Sequence, residues 1–589
     1  MKQYFLNIAI LFGGIAMAQI QQGETTVGRN TDIKDESVVV ERVYEPKVEA
    51  AEKIKQTPEI TDSKKEKLPV TYGLKDVEAE SDFETSTITA DELPVRKINP
   101  YNNYVRGGFG NRYSFLADGY AAFEIDEGKK AGASLNYYSS SADVRNTVTD
   151  SDELKLNAEG FLKLNFDDAR ADFRLGGGTH QLNYYGIDRN VRELIEEGTD
   201  VAQTYNNIYV AGKYETFDHL FLENVQLKAG YFSDKHDASE SSFDLFSTLK
   251  NLELYDTGVM NDLQLGAKAN INLNLANSKF EALYNEEYRV FNAGISPQIT
   301  MNNDAFQINL GANIQYLNTS HPDILTAYPD MDKVHFFPAV DFSYNAIPEF
   351  GIYGGVAGGI VHNRYETLYN DNPFLLSSQE LIPTKNKLEF YAGFRGDIGQ
   401  NFKYDASAKF QDLENIPFFA RYNILGVSYA LRNSFSTIYD NGEKSTIQGR
   451  LNYTGISNLN LGTSLTLQSY KLDNLEEAWD KPSIKTSIDA NYKLLNEKLV
   501  LGGDLFFIGS RKGTELNLYT IYPHITDPAQ LPAYSLNSYI DLNLSATYMF
   551  LERWGAFLEI RNVLNKNYER YLDYEVQGTT GIGGVMFKF

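Results

Sequence analysis

Leu263-Gln264-Leu265-Gly266-Ala267-Lys268-Ala269-Asn270-Ile271-Asn272-Leu273 is the stretch that decides how this chain folds. Apolar side chains stand at every odd position, with glutamine, glycine, lysine and asparagine between them. A strand turns successive side chains to opposite faces, so this order gives one greasy face and one wet face. The order repeats from Phe306 to Tyr316, where Gln307, Asn309, Gly311, Asn313 and Gln315 separate the apolar residues. It returns from Ile540 to Tyr548 and from Leu154 to Leu164. A soluble β-sandwich alternates too. Here the pattern runs for about ten residues or more per segment, the length of a tilted strand that crosses a membrane. The polar face is hydrophilic enough for the lumen of a barrel.

Working outward, the connections alternate in length. Short turns are predicted at Asp126–Lys130, Asp167–Arg170, Asn274–Asn277, Asn302–Asp304, Ile347–Glu349, Gly399–Asn401, Ser457–Asn458, Leu495–Lys498 and Leu551–Arg553. Long polar connections fall between them, near 143–151, 184–203, 235–261, 318–332, 364–385, 414–442, 473–483, 510–536 and 566–577. Periplasmic turns are short and outside loops long in outer-membrane barrels. Counting segments this way gives about 22 strands, an all-β, antiparallel transmembrane barrel over residues 101–589. It must close, because an open edge in lipid leaves backbone groups unpaired.

Composition agrees. Aromatics make up 13% of the 589 residues, with 40 Tyr and 35 Phe. Many cluster near strand ends: Tyr137 and Tyr138, Tyr184 and Tyr185, Phe336 and Phe337, Phe418 and Phe419, Tyr548 and Phe550. Such rings would form girdles at the two membrane interfaces. Cysteine is absent, which excludes disulfides and thiolate metal sites. The net charge of -25 gives no basic footprint for nucleic acid.

Residues 1–18 read as a secretory signal peptide: Lys2 is the positive start, Tyr4 to Ile15 the apolar run, and Ala16-Met17-Ala18 the cleavage pattern. No later stretch holds 18 consecutive apolar residues, so strands must make any membrane crossing. Residues 19–100 form a charged, flexible periplasmic segment, with 18 acidic residues, 12 basic ones and three aromatics. Within it, Val38, Val39, Val40, Arg42, Tyr44 and Pro46 could add as an edge strand to another sheet.

The chain ends Thr580-Gly581-Ile582-Gly583-Gly584-Val585-Met586-Phe587-Lys588-Phe589. Val585, Phe587 and Phe589 share one face, and this ending looks like the signal read by the barrel assembly machinery. The run Phe557-Leu558-Glu559-Ile560-Arg561-Asn562-Val563-Leu564-Asn565-Lys566-Asn567-Tyr568 precedes a Gly-containing loop and that last strand. It resembles the end of TonB-dependent receptors, closely over the last 35 residues and loosely over the barrel. The resemblance implies a 22-strand outer-membrane barrel, and in Glu36-Ser37-Val38-Val39-Val40 a segment faintly similar to a TonB box. It implies a globular plug as well. Only about 80 residues separate Gln19 from the first strand, so the reading is a receptor-like barrel without a plug. Arg106-Gly107-Gly108-Phe109 fits strand one better than a plug motif. A lumen this wide is not filled by its own side chains, so inward loops, the N-terminal segment or a partner must occlude it.

Catalytic chemistry is sparse. The seven His residues show no metal-site spacing, and no Gly-x-Ser-x-Gly elbow occurs. His180, on a predicted strand, is the one tempting centre. Asp150-Ser151-Asp152-Glu153 and Pro329-Asp330-Met331-Asp332 lack the spacing of a calcium loop. The sequence therefore predicts no enzyme, no catalytic residue, no cofactor and no metal. It points to a channel or transporter in the outer membrane. The alternative is a non-transporting barrel subunit of an envelope complex. The expected partners are outer-membrane lipid, the assembly machinery, and a periplasmic or membrane partner of residues 19–100.

Overall fold

A computed structural model describes residues 103–589, apart from 142–143, 146, 148, 188–199, 218–220, 257–262, 284, 304, 322–331, 348, 400, 423–432 and 517–530. The chain opens with β1 (Tyr104–Gly110), β2 (Phe115–Asp126), β3 (Lys129–Ser140), β4 (Glu153–Asn165), β5 (Ala169–Asn183), β6 (Ala202–Thr216) and β7 (Leu222–Asp234). It continues through β8 (Ser239–Asp256), β9 (Gln264–Phe280), β10 (Glu286–Asn302), β11 (Phe306–Ser320), β12 (Lys333–Ile347) and β13 (Phe350–Val361). After the helix α1 (Tyr365–Asp371) come β14 (Thr384–Ile398), β15 (Phe402–Tyr422), β16 (Phe435–Tyr453), β17 (Leu459–Leu472), β18 (Ile484–Leu494) and β19 (Leu499–Ile508). The last part holds β20 (Arg511–Gly513), β21 (Glu515–Leu516), β22 (Tyr534–Leu536), β23 (Tyr539–Met549), β24 (Trp554–Arg561), β25 (Glu569–Tyr571), β26 (Tyr574–Glu575) and β27 (Thr580–Lys588).

The main sheet has 23 strands. One of them, the two-residue β21, only lies parallel to the end of β15. The remaining 22 pair antiparallel with their neighbours, and β1 pairs with β27 from Tyr104↔Lys588 to Gly110↔Ile582. The sheet therefore closes on itself, and no strand edge is left for lipid to meet. No described helix is long and apolar enough to cross a membrane.

The two faces sort as the alternation predicts. Leu310 and Tyr316 on β11 are exposed outward, while Asn309, Asn313 and Gln315 are buried inward. On β23, Ile540, Leu544 and Tyr548 face out, and Asp541, Asn543 and Thr547 face in. Apolar side chains left exposed around a closed sheet are the mark of a lipid-facing band. Inside, polar side chains satisfy one another across strands: Asn309 donates to Asp341 at 2.7 Å, and Arg106 to Asp118 at 2.7 Å and to Glu559 on the far side of the seam. In the β2–β3 turn, Gly128 has φ +74, and a Cβ there would meet the carbonyl oxygen of Asn165 at 2.5 Å. Only glycine fits that position.

Three expectations need correction. Asn274–Asn277 is no turn; it lies inside β9 and pairs with Arg289–Asn292 of β10. The connection expected over 235–261 is mostly β8, and that expected over 414–442 is mostly the ends of β15 and β16. The girdle holds for Phe336, Tyr548 and Phe550, which are exposed outward. It fails for Tyr184, Phe337, Phe418 and Phe419, which are buried against loops or the lumen wall.

Candidate functional site: the loop-capped lumen

The β13–β14 connection, residues 362–383, folds into the barrel instead of away from it. Asn363 closes its base by donating to the Ile382 carbonyl at 2.6 Å and the Thr384 hydroxyl at 2.8 Å. The next residue, Arg364, forms a buried ion pair with Asp244 of β8 at 2.9 Å. Tyr365, Leu368 and Tyr369 follow at helical spacing and set the apolar face of α1.

That helix is held at its start by the barrel wall. Glu240 of β8 accepts hydrogen bonds from the backbone N–H of Tyr365 at 2.7 Å and of Glu366 at 3.3 Å. A carboxylate at this place satisfies N–H groups that a helix start leaves without partners. The Tyr365 hydroxyl donates to Asp234 of β7 at 2.7 Å. Asp234 also accepts from Gln203 of β6 and from Ser377 further along the loop. Tyr369 packs on Tyr205 with ring centroids 4.5 Å apart, and on Phe232 at 5.1 Å. Its hydroxyl lies 2.7 Å from His180 Nδ1, whose Nε2 lies 3.1 Å from Glu153.

The β24–β27 connection completes the cap. Tyr574 stacks on Phe374 at 3.8 Å, and Tyr571 and Leu572 join the same buried cluster. Arg421 pairs with Asp573 and Glu515, tying that connection to the end of β15. Together these residues form a continuous aromatic cluster with Tyr184, Tyr205, Phe280 and Phe435. Burying side chains of this size contributes about 1.5–3 kcal/mol each, so the cap is firmly seated.

Burial displaces titratable groups of the inserted connection from their usual ranges, Glu380 and His362 among them. Burial, reinforced by nearby Glu286, pushes the Glu380 carboxyl up to about 7. Burial, with the Arg364 charge adding to it, pulls His362 down to about 4 against the opposing pull of Asp244.

Beneath α1, against the β3–β5 wall and the seam, lies a cavity of about 320 Å³. Asn136, Glu153, His180, Tyr369, Asp541 and Arg561 are among its lining residues. Among the described residues no cluster of His, Asp and Glu has the form of a metal site.

Val38, Val39, Val40, Arg42, Tyr44 and Pro46 lie outside the described residues. Val585, Phe587 and Phe589 come together as an outward stripe at the closing seam: Val585 and Phe589 are exposed, and Phe587 lies 4.8 Å from Trp554 and 6.0 Å from Phe589. Sequence reasoning offered inward loops as one of three ways to occlude the lumen and missed the anchors. The Tyr365-Leu368-Tyr369 spacing was the available signal.

The class of protein is now defined: a closed 22-strand barrel with an apolar exterior and a polar, loop-capped lumen is an outer-membrane β-barrel. No family model matches the sequence, and no curated protein matches it either. The fold has solved neighbours. The ferripyoverdine receptor of the outer membrane of Pseudomonas aeruginosa, bound to ferripyoverdine, superposes with a TM-score of 0.56 at 11% identity, over 84% of this chain and 73% of that one. The ferric-catecholate import receptor Fiu from K12 E. coli gives 0.56 at 10% identity, over 84% and 82%. The siderophore receptor PirA from Acinetobacter baumannii gives 0.56 at 10% identity, over 84% and 81%. The barrel thus shares its fold with these solved receptors.

Proposed function

We propose that this chain is a transporter or channel of the TonB-dependent-receptor type, acting without a plug domain, with its lumen narrowed by the residue 362–383 connection. The observation that supports this best is α1 itself: a helix pinned inside a polar lumen by Glu240, Asp234 and the Arg364–Asp244 pair. In this reading Val38–Pro46 is the strand that docks a periplasmic or inner-membrane partner, and Val585, Phe587 and Phe589 are read by the assembly machinery. Planar-bilayer recording tests the proposal. The full chain is expected to conduct weakly, and shortening residues 366–380 or removing residues 19–100 to raise conductance severalfold. A silent barrel in all three forms would overturn it in favour of a non-transporting subunit of an envelope complex.

A further inference from the structure

The cavity under α1 contains hydrogen-bonding capacity that the protein itself does not use. Asn136, on the inward face of β3, is only 9% exposed, yet neither its Nδ2 nor its Oδ1 has a hydrogen-bond partner. Asp541, on the inward face of β23, is 5% exposed; its Oδ2 accepts from the Tyr568 hydroxyl at 2.8 Å, while its Oδ1 has no partner. Leaving buried polar atoms unpaired costs about 1–3 kcal/mol each, so such atoms mark a place that something else completes.

The charges of the cavity narrow the choice. Asp118 is engaged by Arg106, and Glu153 by Lys155. Arg561 lies over the Tyr138 ring at 4.7 Å. Asp152, Glu366, Asp541 and Arg570 line the cavity as well, so charges of both signs face it and a charged solute of either sign meets like charge alongside its counter-charge. What remains open is the Asn136 amide, which both donates and accepts, an Asp541 carboxylate oxygen that only accepts, and the Arg561 Nε–H, which only donates. Hydroxyl groups match all three, since each O–H donates and accepts at one oxygen. The volume of about 320 Å³ falls within the range of small-molecule sites.

We propose that this cavity binds a neutral, hydroxyl-rich solute of saccharide type through Asn136 and Asp541. The assignment rests on reading the lumen as a solute path, but its test does not need transport. Isothermal titration of the full-length protein in a sugar-free detergent would use maltose as the probe, with glucose 6-phosphate and spermidine as charged counterparts. Saturable maltose binding is expected, with either charged probe at least tenfold weaker. Asn136→Leu and Asp541→Asn should each weaken maltose binding tenfold or more, and Asn136→Ser, which keeps a hydroxyl, should lose less than Asn136→Leu. The assignment fails if maltose shows no saturable heat, if a charged probe binds as tightly, or if Asn136→Leu and Asp541→Asn leave affinity unchanged in protein with native circular dichroism. A barrel that binds maltose but never conducts would defeat the transport proposal alone.

Discussion

Arg364 and Asp244 set the strength of the lumen cap, because both are buried and each neutralises the other. Replacing Arg364 by Met leaves the Asp244 charge unpaired, at a local cost of roughly 3–5 kcal/mol. Hydrogen exchange of residues 365–371 should accelerate by at least a hundredfold, while exchange in the barrel strands stays unchanged. Converting both partners together to Met and Leu should recover part of the protection, since the Asp244 charge goes with its partner while buried Glu240 still loses the nearby guanidinium. The titratable groups add a pH dependence. Glu380 rises from 4.5 to about 7, so the folded cap holds a proton that the released loop does not. Cap stability then falls as pH rises from about 4.5 through 7. His362 drops from 6.5 to about 4, so its contribution is complete above pH 6.5 and lost as pH falls toward 4. Proteolysis of the connection measured from pH 4 to 8 should show protection declining toward both ends. Glu380→Gln should remove the alkaline decline and His362→Asn the acid one. None of these residues announced itself in the sequence, because each acquires its role from strands far away in the chain: Arg364 from Asp244, Glu380 beside Glu286, and His362 beside Asn292.

At the scale of elements, strands were legible and loops were not. Period-2 alternation placed β9, β11 and β23 on the correct faces, because the lipid and the lumen impose opposite polarity at every step. The same polarity misled at Asn274–Asn277. Asn274 and Ser278 are lumen-facing side chains, with Asn274 bonded to Asp244 and Ser278 to Glu240, and their local composition imitates a turn. Ser239 to Ser242 misled in the same way at the start of β8. The helix α1 escaped notice because seven residues carry too little periodicity, and its stability comes from tertiary contacts. The last strand gives a prediction at this scale. Val585, Phe587 and Phe589 line the outward face where β27 meets β1. Changing Phe589 to Ser should lower the yield of membrane-inserted barrel severalfold, read as the heat-sensitive folded fraction on a gel, without altering the amount of protein exported.

For the whole molecule, the account depends on one division of space: lipid outside the sheet, water and loops inside it. The pattern from Asn102 onward foretold that division and the 22 strands, since both follow from local residue order and from the need to close the sheet. Inward loops were one of three fillers the sequence allowed; that the 362–383 connection folds in is settled by contacts between strands and loops far apart in the chain. The two tryptophans divide along the same line. Trp554 is 45% exposed on the outer face of β24, whereas Trp479 is 1% exposed in a loop cluster with Phe418 and Leu475. Quenching of tryptophan fluorescence by brominated lipid is therefore the most direct measurement. In vesicles, a Trp479→Phe protein that keeps only Trp554 should be strongly quenched, and a Trp554→Phe protein that keeps only Trp479 should be barely affected. Equal quenching of the two, or a Trp554 that brominated lipid never reaches, would contradict the account.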